Sequence, residues 1–392
     1  MFNRIKLPAA VIISSMALAA CGGDSAVQNG RLAISLTDAP ACGYDAVNVT
    51  VEKIRVHQSG TANDNDAGWS EIVLNPAKRV NLVNLTNGVL EKLGEVPLTR
   101  GKYTQLRLVL AENSAAAPFA NSVVPTGGQE VALTTPSGSK SGEKLIHQFE
   151  VADGTLVDLV MDFDACKSIV ARGNGAFNLK PVIAVVPKVV SGAITGFVDP
   201  AITNSIVTAQ QAGKVVKATY PDATGKFTLG PVVAGTYDVA ITADGRAAGV
   251  VTGVTVAAGN TVKVSDNTAA APAITLPASA AGTVSGNVTF SATAPTDGAV
   301  VSARQTLSTG TVFEVRFTNT NATTGAYTTG LPLDAPRFSA FGSGALPLVL
   351  NADPAAAAKY TLRASATGYA TSPDAAVTAT GAGVVQNFTL NP

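Results

Sequence analysis

Residues 31–36 read Arg-Leu-Ala-Ile-Ser-Leu and place Leu32, Ile34 and Leu36 at every second position. Successive side chains of a β-strand point to opposite faces, so this spacing puts the three apolar side chains on one face. Residues 47–51 repeat the pattern with three valines, and residues 106–110 and 157–163 add two more alternating runs. Alternation of this kind predicts half-buried strands, and residues 30–187 are therefore expected to form one mainly β domain.

Two irregularities interrupt this pattern. After residues 52 and 53 the apolar positions shift by one, to Ile54 and Val56, which predicts a β-bulge. The one helix-like segment is Thr86–Leu93, with Thr86 as a possible N-cap and Gly94 as a stop signal. We expect it to be a short helix within the β domain.

The composition limits the classes of protein that the chain can belong to. It has 392 residues, of which 46% are hydrophobic and 14% are charged, and 37 are glycines. At about 100 to 200 residues per domain, this length predicts two to four domains. The low charge and abundant glycine favour short strands and turns over a helical bundle or a disordered chain. Since 27 basic residues balance 27 acidic ones without a long basic run, no nucleic acid is expected as a partner.

The second half of the chain contains an internal repeat, residues 192–267 and 282–392. The segments 192–196, 222–227 and 237–241 correspond to 282–286, 321–327 and 360–364. Two copies are too few for a solenoid, so each copy is expected to fold by itself. The Ala- and Pro-rich residues 268–281 between them are expected to be a linker.

Both halves resemble known families. Residues 36–40 (Leu-Thr-Asp-Ala-Pro), 101–108, 162–165 and 179–182 resemble the bacterial lipoprotein domain called domain of unknown function 4382, which implies an exported, membrane-attached module without an assigned activity. The glycines, aromatic residue, leucine and tyrosine of residues 225–237 are similar to the carboxypeptidase regulatory-like domain, a prealbumin-type sandwich with a carbohydrate-binding-like fold. The third unit is less similar, because residues 334–358 interrupt the pattern. Together the resemblances imply an all-β chain of three tandem β-sandwich modules.

The N-terminus predicts export and lipid attachment. Residues 1–20 carry Arg4 and Lys6 and then an apolar stretch, which is the layout of a secretory signal. The closing residues Leu-Ala-Ala before Cys21 resemble the lipobox of bacterial lipoproteins, which implies cleavage before Cys21 and a diacylglycerol on its sulfur. Two or three acyl chains hold a protein on a membrane almost permanently. We expect a lipid-anchored protein of the bacterial cell envelope, and of the outer membrane because Gly22 follows. An ordinary signal with a chance cysteine is the alternative.

Export leaves Cys42 and Cys166 as the remaining thiols in an oxidising compartment. A disulfide between them would close a loop of 166 − 42 = 124 residues, worth on the order of 4 to 5 kcal/mol in the chain-entropy model. A metal pair or two buried free thiols are the alternatives. Structural zinc requires four ligands at close spacings, which disfavours the metal pair.

Few residues carry recognisable chemistry. The two histidines, His57 and His147, lie outside any metalloprotease motif, and residues 63–68 resemble a calcium loop without the ligands of an EF-hand. No metal, cofactor or catalytic constellation is therefore expected. Asp162 and Asp164 share one face of a strand and could pair for acid–base chemistry, although a polar sheet face explains them as well.

These observations favour a non-enzymatic, lipid-anchored envelope protein that presents a binding surface, with a glycan or an envelope protein as its ligand. The candidate binding loop is the insertion 334–358, where Arg337, Phe338 and Phe341 would form an exposed patch. An enzyme accessory or cryptic hydrolase is the alternative, and it requires His147 to converge with the two aspartates of residues 162–164. A purely structural envelope component is the third possibility.

Overall fold

The computed structural model describes residues 29–39, 43–135, 142–145, 147–172, 175–295, 298–342 and 346–392. Strands far outnumber helical turns among these residues, which confirms the all-β class of sandwich-like units. Their buried apolar side chains form three separate cores. We call the parts of the chain that hold strands β1–β14, β15–β21 and β22–β31 modules one, two and three. Within these residues no helix is long and apolar enough to cross a membrane.

Module one packs its core between two main sheets, with strand orders β14-β11-β1-β4 and β12-β13-β8-β7-β2-β6-β9, β3 pairing with β2. A two-stranded sheet joins β10 to β5. The strands are β1 Gly30–Ala39, β2 Tyr44–His57, β3 Ser70–Asn81, β4 Glu91–Leu98, β5 Gly101–Tyr103, β6 Gln105–Leu110, β7 Ser122–Pro125, β8 Val131–Thr134, β9 Glu143–Leu145, β10 Phe149–Val151, β11 Leu156–Asp164, β12 Ile169–Ala171, β13 Phe177–Leu179 and β14 Ile183–Pro187. Helix α1 covers Ala165–Ser168, and 3-10 turns cover Leu82–Leu85 and Lys188–Val190.

The two irregularities of module one have different outcomes. The bulge is confirmed, because the pairing of β2 with both neighbours shifts between Val51 and Lys53. The helix over Thr86–Leu93 is wrong. A 3-10 turn ends at Leu85 instead, and Asn87 and Gly88 both take positive φ, of 61° and 80°, before β4 begins. Consecutive residues in this left-handed region cannot continue a right-handed helix.

Modules two and three are built alike. Module two has sheets β18-β15-β21 and β17-β16-β19-β20, and module three has β25-β22-β30, with β31 on β22, and β24-β23-β28-β29. In both modules, the first strand pairs antiparallel with the fourth strand and parallel with a strand from the last part of the same module. The strands are β15 Ser191–Phe197, β16 Ile206–Gln211, β17 Lys214–Thr219, β18 Lys226–Val233, β19 Gly235–Thr242, β20 Gly249–Val256, β21 Thr261–Lys263, β22 Ala281–Phe290, β23 Val300–Thr306, β24 Val312–Asn319, β25 Ala326–Pro332, β26 Arg337–Ala340, β27 Asn351–Ala352, β28 Lys359–Ser365, β29 Ala375–Thr378, β30 Val384–Val385 and β31 Phe388–Leu390, with a 3-10 turn at Pro354–Ala356.

The repeated segments make the same two contacts in each module. Gly225 and Gly325 have positive φ, of 83° and 70°. The backbone of each glycine lies so close to the first-strand segment of its module that an added Cβ would be 1.9 Å and 2.2 Å, respectively, from a carbonyl oxygen. The Tyr237 hydroxyl donates to the carbonyl that ends β18, at 2.5 Å, and the Tyr360 hydroxyl donates to the carbonyl that ends β25, at 2.6 Å. Only glycine accepts this φ with so close an approach, so the repeated glycines follow from the geometry.

The expectation that Arg337, Phe338 and Phe341 of the insertion 334–358 form an exposed patch is wrong, because all three side chains are half-buried. Residues Arg337–Ala340 form β26, which pairs parallel with β20 and extends the larger sheet of module two to six strands, with β27 at its edge. Phe338 packs against the core of module three and Phe341 against that of module two. A strand can fill an open sheet edge with backbone hydrogen bonds while its side chains enter the neighbouring cores. The expected linker 268–281 also packs on module two, where Ile274 and Leu276 are buried.

Candidate functional site at the junction of the modules

A buried ion pair joins modules one and two. On β11, the side chains of Met161 and Phe163 point into the core. Successive side chains of a strand point to opposite faces, so the side chain of Asp162 between them points away from this core. The ammonium of Lys217, on β17, donates to Asp162 Oδ1 at 2.5 Å and to the Asp38 carbonyl oxygen at 3.4 Å. The side chains of Lys217 and Asp162 are only 1% and 7% exposed. Burial of both charges makes this contact unlike the surface ion pairs of the chain.

Burial also shifts the pKa of two carboxyl groups of module one, those of Asp162 and Asp38. It raises the pKa of Asp162, and the ammonium of Lys217 offsets only part of that effect. Burial raises the pKa of Asp38 well above its usual range, although the Ala165 amide donates to Asp38 Oδ1 at 3.0 Å. Asp38 Oδ2 has no hydrogen-bond partner among the residues that the structure describes. The neutral acid is the form that a buried, unpaired carboxyl favours.

A second charged group ties module three to module one. Asp164 caps α1 by accepting from the Lys167 amide at 3.0 Å, and its other oxygen accepts from Lys167 Nζ at 2.7 Å. Burial alone would lower the pKa of Lys167, but Asp164 and Glu314 of module three outweigh it and raise that pKa. Asn319 Nδ2 donates to the carbonyls of Cys166 and Ile169, at 3.1 Å and 3.3 Å.

Neutral hydrogen bonds complete the junction. The Asn87 amide donates to Thr219 Oγ1 at 2.7 Å, and its Oδ1 accepts from the Thr228 amide at 2.5 Å, which links modules one and two. Gln210 of module two pairs with the backbone of Glu314 in both directions, at 2.7 Å and 2.8 Å. Each module therefore contacts both others through buried or half-buried polar groups.

Two clefts open at this junction. The larger, of about 890 Å³, is lined by residues of all three modules, and the half-buried rings of Tyr44, Tyr220 and Phe317 lie in its wall. Asp45 and Asp244 are exposed at the same cleft. The second, of about 610 Å³, is lined by polar side chains of the ion pairs described above. Clefts of this size at domain interfaces are common ligand sites.

The predicted cysteine sites are only partly within the described residues. Cys21 and Cys42 lie outside them, so lipid attachment and the disulfide stay predictions. Cys166 is buried in α1. Ala39 and Gly43, on either side of residues 40–42, line the same cleft as Cys166.

The hydrolase alternative requires three groups that the structure does not assemble at either cleft. His147 packs its ring against Phe149, with ring centroids 6.4 Å apart, and lines neither cleft. Burial lowers its pKa. Asp162 and Asp164 each pair with a lysine instead of with each other. Asp162 therefore joins modules one and two, whereas Asp164 caps α1 within module one.

The loop of residues 63–68 is ordered by its own side chains. Asp66 Oδ2 accepts from the Asn63 amide at 2.8 Å, and Asp64 pairs with Arg107. Trp69 lies between two guanidinium groups, those of Arg55 and Arg107, at 4.3 Å and 4.9 Å. Throughout the described residues, no group of three His, Cys, Asp or Glu side chains is arranged to hold a metal ion.

Residues 29–181 match the family model described as "Domain of unknown function (DUF4382)". No curated protein matches the chain. Among solved structures, the Bacillus anthracis TIE protein is 14% identical (TM-score 0.18), with 93% of this chain and 51% of that one covered, so this chain spans about half its length. A streptococcal ancillary pilin is 11% identical over 92% and 98% of the two chains (TM-score 0.18), and the major pilin of Corynebacterium diphtheriae is 12% identical over 93% and 100% (TM-score 0.21). TM-scores this low transfer no function.

Sequence reasoning missed the residues that make the junction. Lys217, Asp38 and Glu314 lie in three different modules, and no local pattern distinguishes them from surface charges. The one available signal is the isolated polar residue between core residues of β11, Asp162, which shows that the outer face of that strand is polar but not what covers it.

Proposed function

We propose that the chain is a lipid-anchored, non-catalytic protein of the bacterial cell envelope with binding or structural β modules, and that Cys21 carries the lipid. The observation that supports a holding role is the buried Lys217–Asp162 pair, which fixes module two on module one. Three modules joined in this way present their surfaces at fixed positions relative to one another. An outer-membrane location follows from the signal sequence and is part of the proposal.

Membrane attachment is tested by fractionation of cells that express the full chain. Replacement of the lipid-bearing sulfur, Cys21→Ala, is expected to move the protein from the membrane to the soluble fraction, because acyl chains supply the membrane affinity. Ser25→Ala, four residues beyond Cys21, is the matched control and should stay in the membrane. Retention of Cys21→Ala in the membrane fraction would overturn the anchor.

The larger junction cleft is the proposed binding surface, with a glycan as its ligand. Three aromatic rings and exposed carboxylates in one cleft of about 890 Å³ offer stacking surfaces and hydrogen-bond acceptors. This cleft replaces the insertion as the candidate, because Phe338 and Phe341 are packed against cores.

A glycan array with the full chain tests this ligand class. Tyr220→Ala should abolish retention on the array, whereas Phe119→Ala, an exposed ring outside the cleft, should not. If no glycan on the array were retained, the proposal that the ligand is a glycan would be wrong. A pulldown from envelope extracts would then decide between an envelope-protein partner and a purely structural role.

A further inference from the structure

We propose that Lys217 Nζ and Asp162 Cγ become joined by an amide bond, a covalent cross-link between modules one and two. The two groups already touch at 2.5 Å, and both side chains are almost fully buried. The second contact of Lys217, to the Asp38 carbonyl at 3.4 Å, holds the nitrogen in place against the carboxyl. The cross-link would form whether or not the chain carries lipid.

Burial of both side chains prepares the Asp162 carboxyl for this reaction. A buried ammonium and carboxylate in contact lose their hydration, and transfer of one proton from nitrogen to oxygen gives an uncharged amine and an uncharged acid. The amine lone pair is then free to attack. The pKa of Asp162 is raised by burial, in the direction that this proton transfer needs.

The condensation is balanced without an added reagent. The Lys217 nitrogen forms a bond to Asp162 Cγ, the bond from Cγ to its protonated oxygen breaks, and nitrogen gives up one proton. The oxygen leaves as water, so amine and acid become amide and water with no change of oxidation state. The adjoining cleft of about 610 Å³, which both residues line, offers the water a way out.

Asp38 is the candidate for moving protons during this step. Its strand β1 pairs with β11, its backbone carbonyl accepts from Lys217 Nζ at 3.4 Å, and its Oδ2 is buried without a hydrogen-bond partner among the described residues. As a neutral acid it would give a proton to the departing oxygen and accept the one that nitrogen loses. A buried carboxyl oxygen without a hydrogen-bond partner destabilises a fold, and a role in proton transfer would account for its presence here.

A tryptic digest of the full chain, reduced and denatured, tests the bond by mass spectrometry. Trypsin does not cleave after an amidated lysine, so the cross-link should yield one species in which residues 215–226 are joined to residues 145–167. Its mass should be the sum of the two peptides less one water, and fragment ions should place the link at Asp162. Recovery of Lys217 at a normal cleavage site, with residues 145–167 unmodified, would overturn the proposal.

Variants distinguish the amide bond from other modifications that lower the mass by one water. Lys217→Met and Asp38→Asn should each remove the joined species, and Lys188→Met should keep it. Lys188 is the matched control because it pairs with Asp158 of the same strand at 3.3 Å but is 55% exposed. A joined species that persists in Asp38→Asn would overturn the role of Asp38. If a variant does not fold, the digest of the unaltered chain still decides whether the bond exists.

Discussion

Different interactions hold the chain together inside modules two and three and at the junction between all three modules. Inside the repeated modules, Gly225 and Tyr237 act within short stretches, and Gly325 and Tyr360 repeat the same contacts. At the junction, Lys217 meets a partner 55 residues earlier in the chain. The comparison teaches that module shape is encoded locally and repeatedly, whereas module placement depends on single side chains.

This difference predicts unequal responses to mutation. The turn and tyrosine contacts occur twice, so a change in one module should leave the other intact. The ion pair at the junction occurs once among the described residues, so its loss has no substitute there.

The largest effect is expected for Lys217→Met. Lys217→Met removes the proposed cross-link and leaves Asp162 buried without its partner. The loss of one partner of a buried ion pair alone typically costs about 3 to 5 kcal/mol. Lys188→Met, which breaks an exposed pair on the same strand, should cost about 1 kcal/mol or less. Urea denaturation of both variants measures the difference, and equal losses would show that the junction pair is not special.

The next effect concerns the two glycine turns. Gly225→Ala and Gly325→Ala should each destabilise their own module by about 2 to 4 kcal/mol, because the new Cβ collides with a carbonyl oxygen and the φ is positive. Gly253→Ala has a positive φ of 75° but open space around it, so about 1 kcal/mol is expected. Hydrogen exchange locates each loss in its module. A loss spread equally over both modules would contradict their independence.

The buried carboxyl of Asp38 predicts a pH dependence of the junction. Because burial raises the pKa of Asp38 well above the ordinary 3.8, its contribution to stability is fully present below that value and is lost as pH rises through the folded-state pKa. One such group changes the free energy of unfolding by at most about 1.4 kcal/mol per pH unit. Asp38→Asn should flatten this slope in urea titrations, and Asp158→Asn should not. An unchanged slope in Asp38→Asn would be contrary to the expectation.

The smallest effect is expected for the tyrosine hydroxyls. Tyr237→Phe and Tyr360→Phe each remove one hydrogen bond to a strand-ending carbonyl, worth about 1 kcal/mol. Tyr369→Phe removes a comparable bond in an exposed position and should cost less. Thermal unfolding of the three variants ranks them. A larger loss for Tyr369→Phe would show that the repeated tyrosines do not fix the strand ends.

Particular residues show how far the sequence could be interpreted. The alternation of Leu32, Ile34 and Leu36 is enough to predict β1. The phase slip after Lys53 is enough to predict the bulge in β2. Thr86 gave a false helix signal, because a cap residue and a glycine stop also occur around an irregular turn. The aromatic residues Phe338 and Phe341 looked exposed in sequence because nothing in residues 334–358 shows that they complete another module's sheet.

The sequence by itself determined the strand pattern, the repeated turn glycines and the β class, since each depends on residues a few positions apart. Only the tertiary structure decided that Lys217 is buried against Asp162, that β26 joins module two and that three aromatic rings share one cleft. The physical reason is that burial and charge pairing depend on neighbours in space. Those neighbours come from distant parts of the chain, and no local spacing records them.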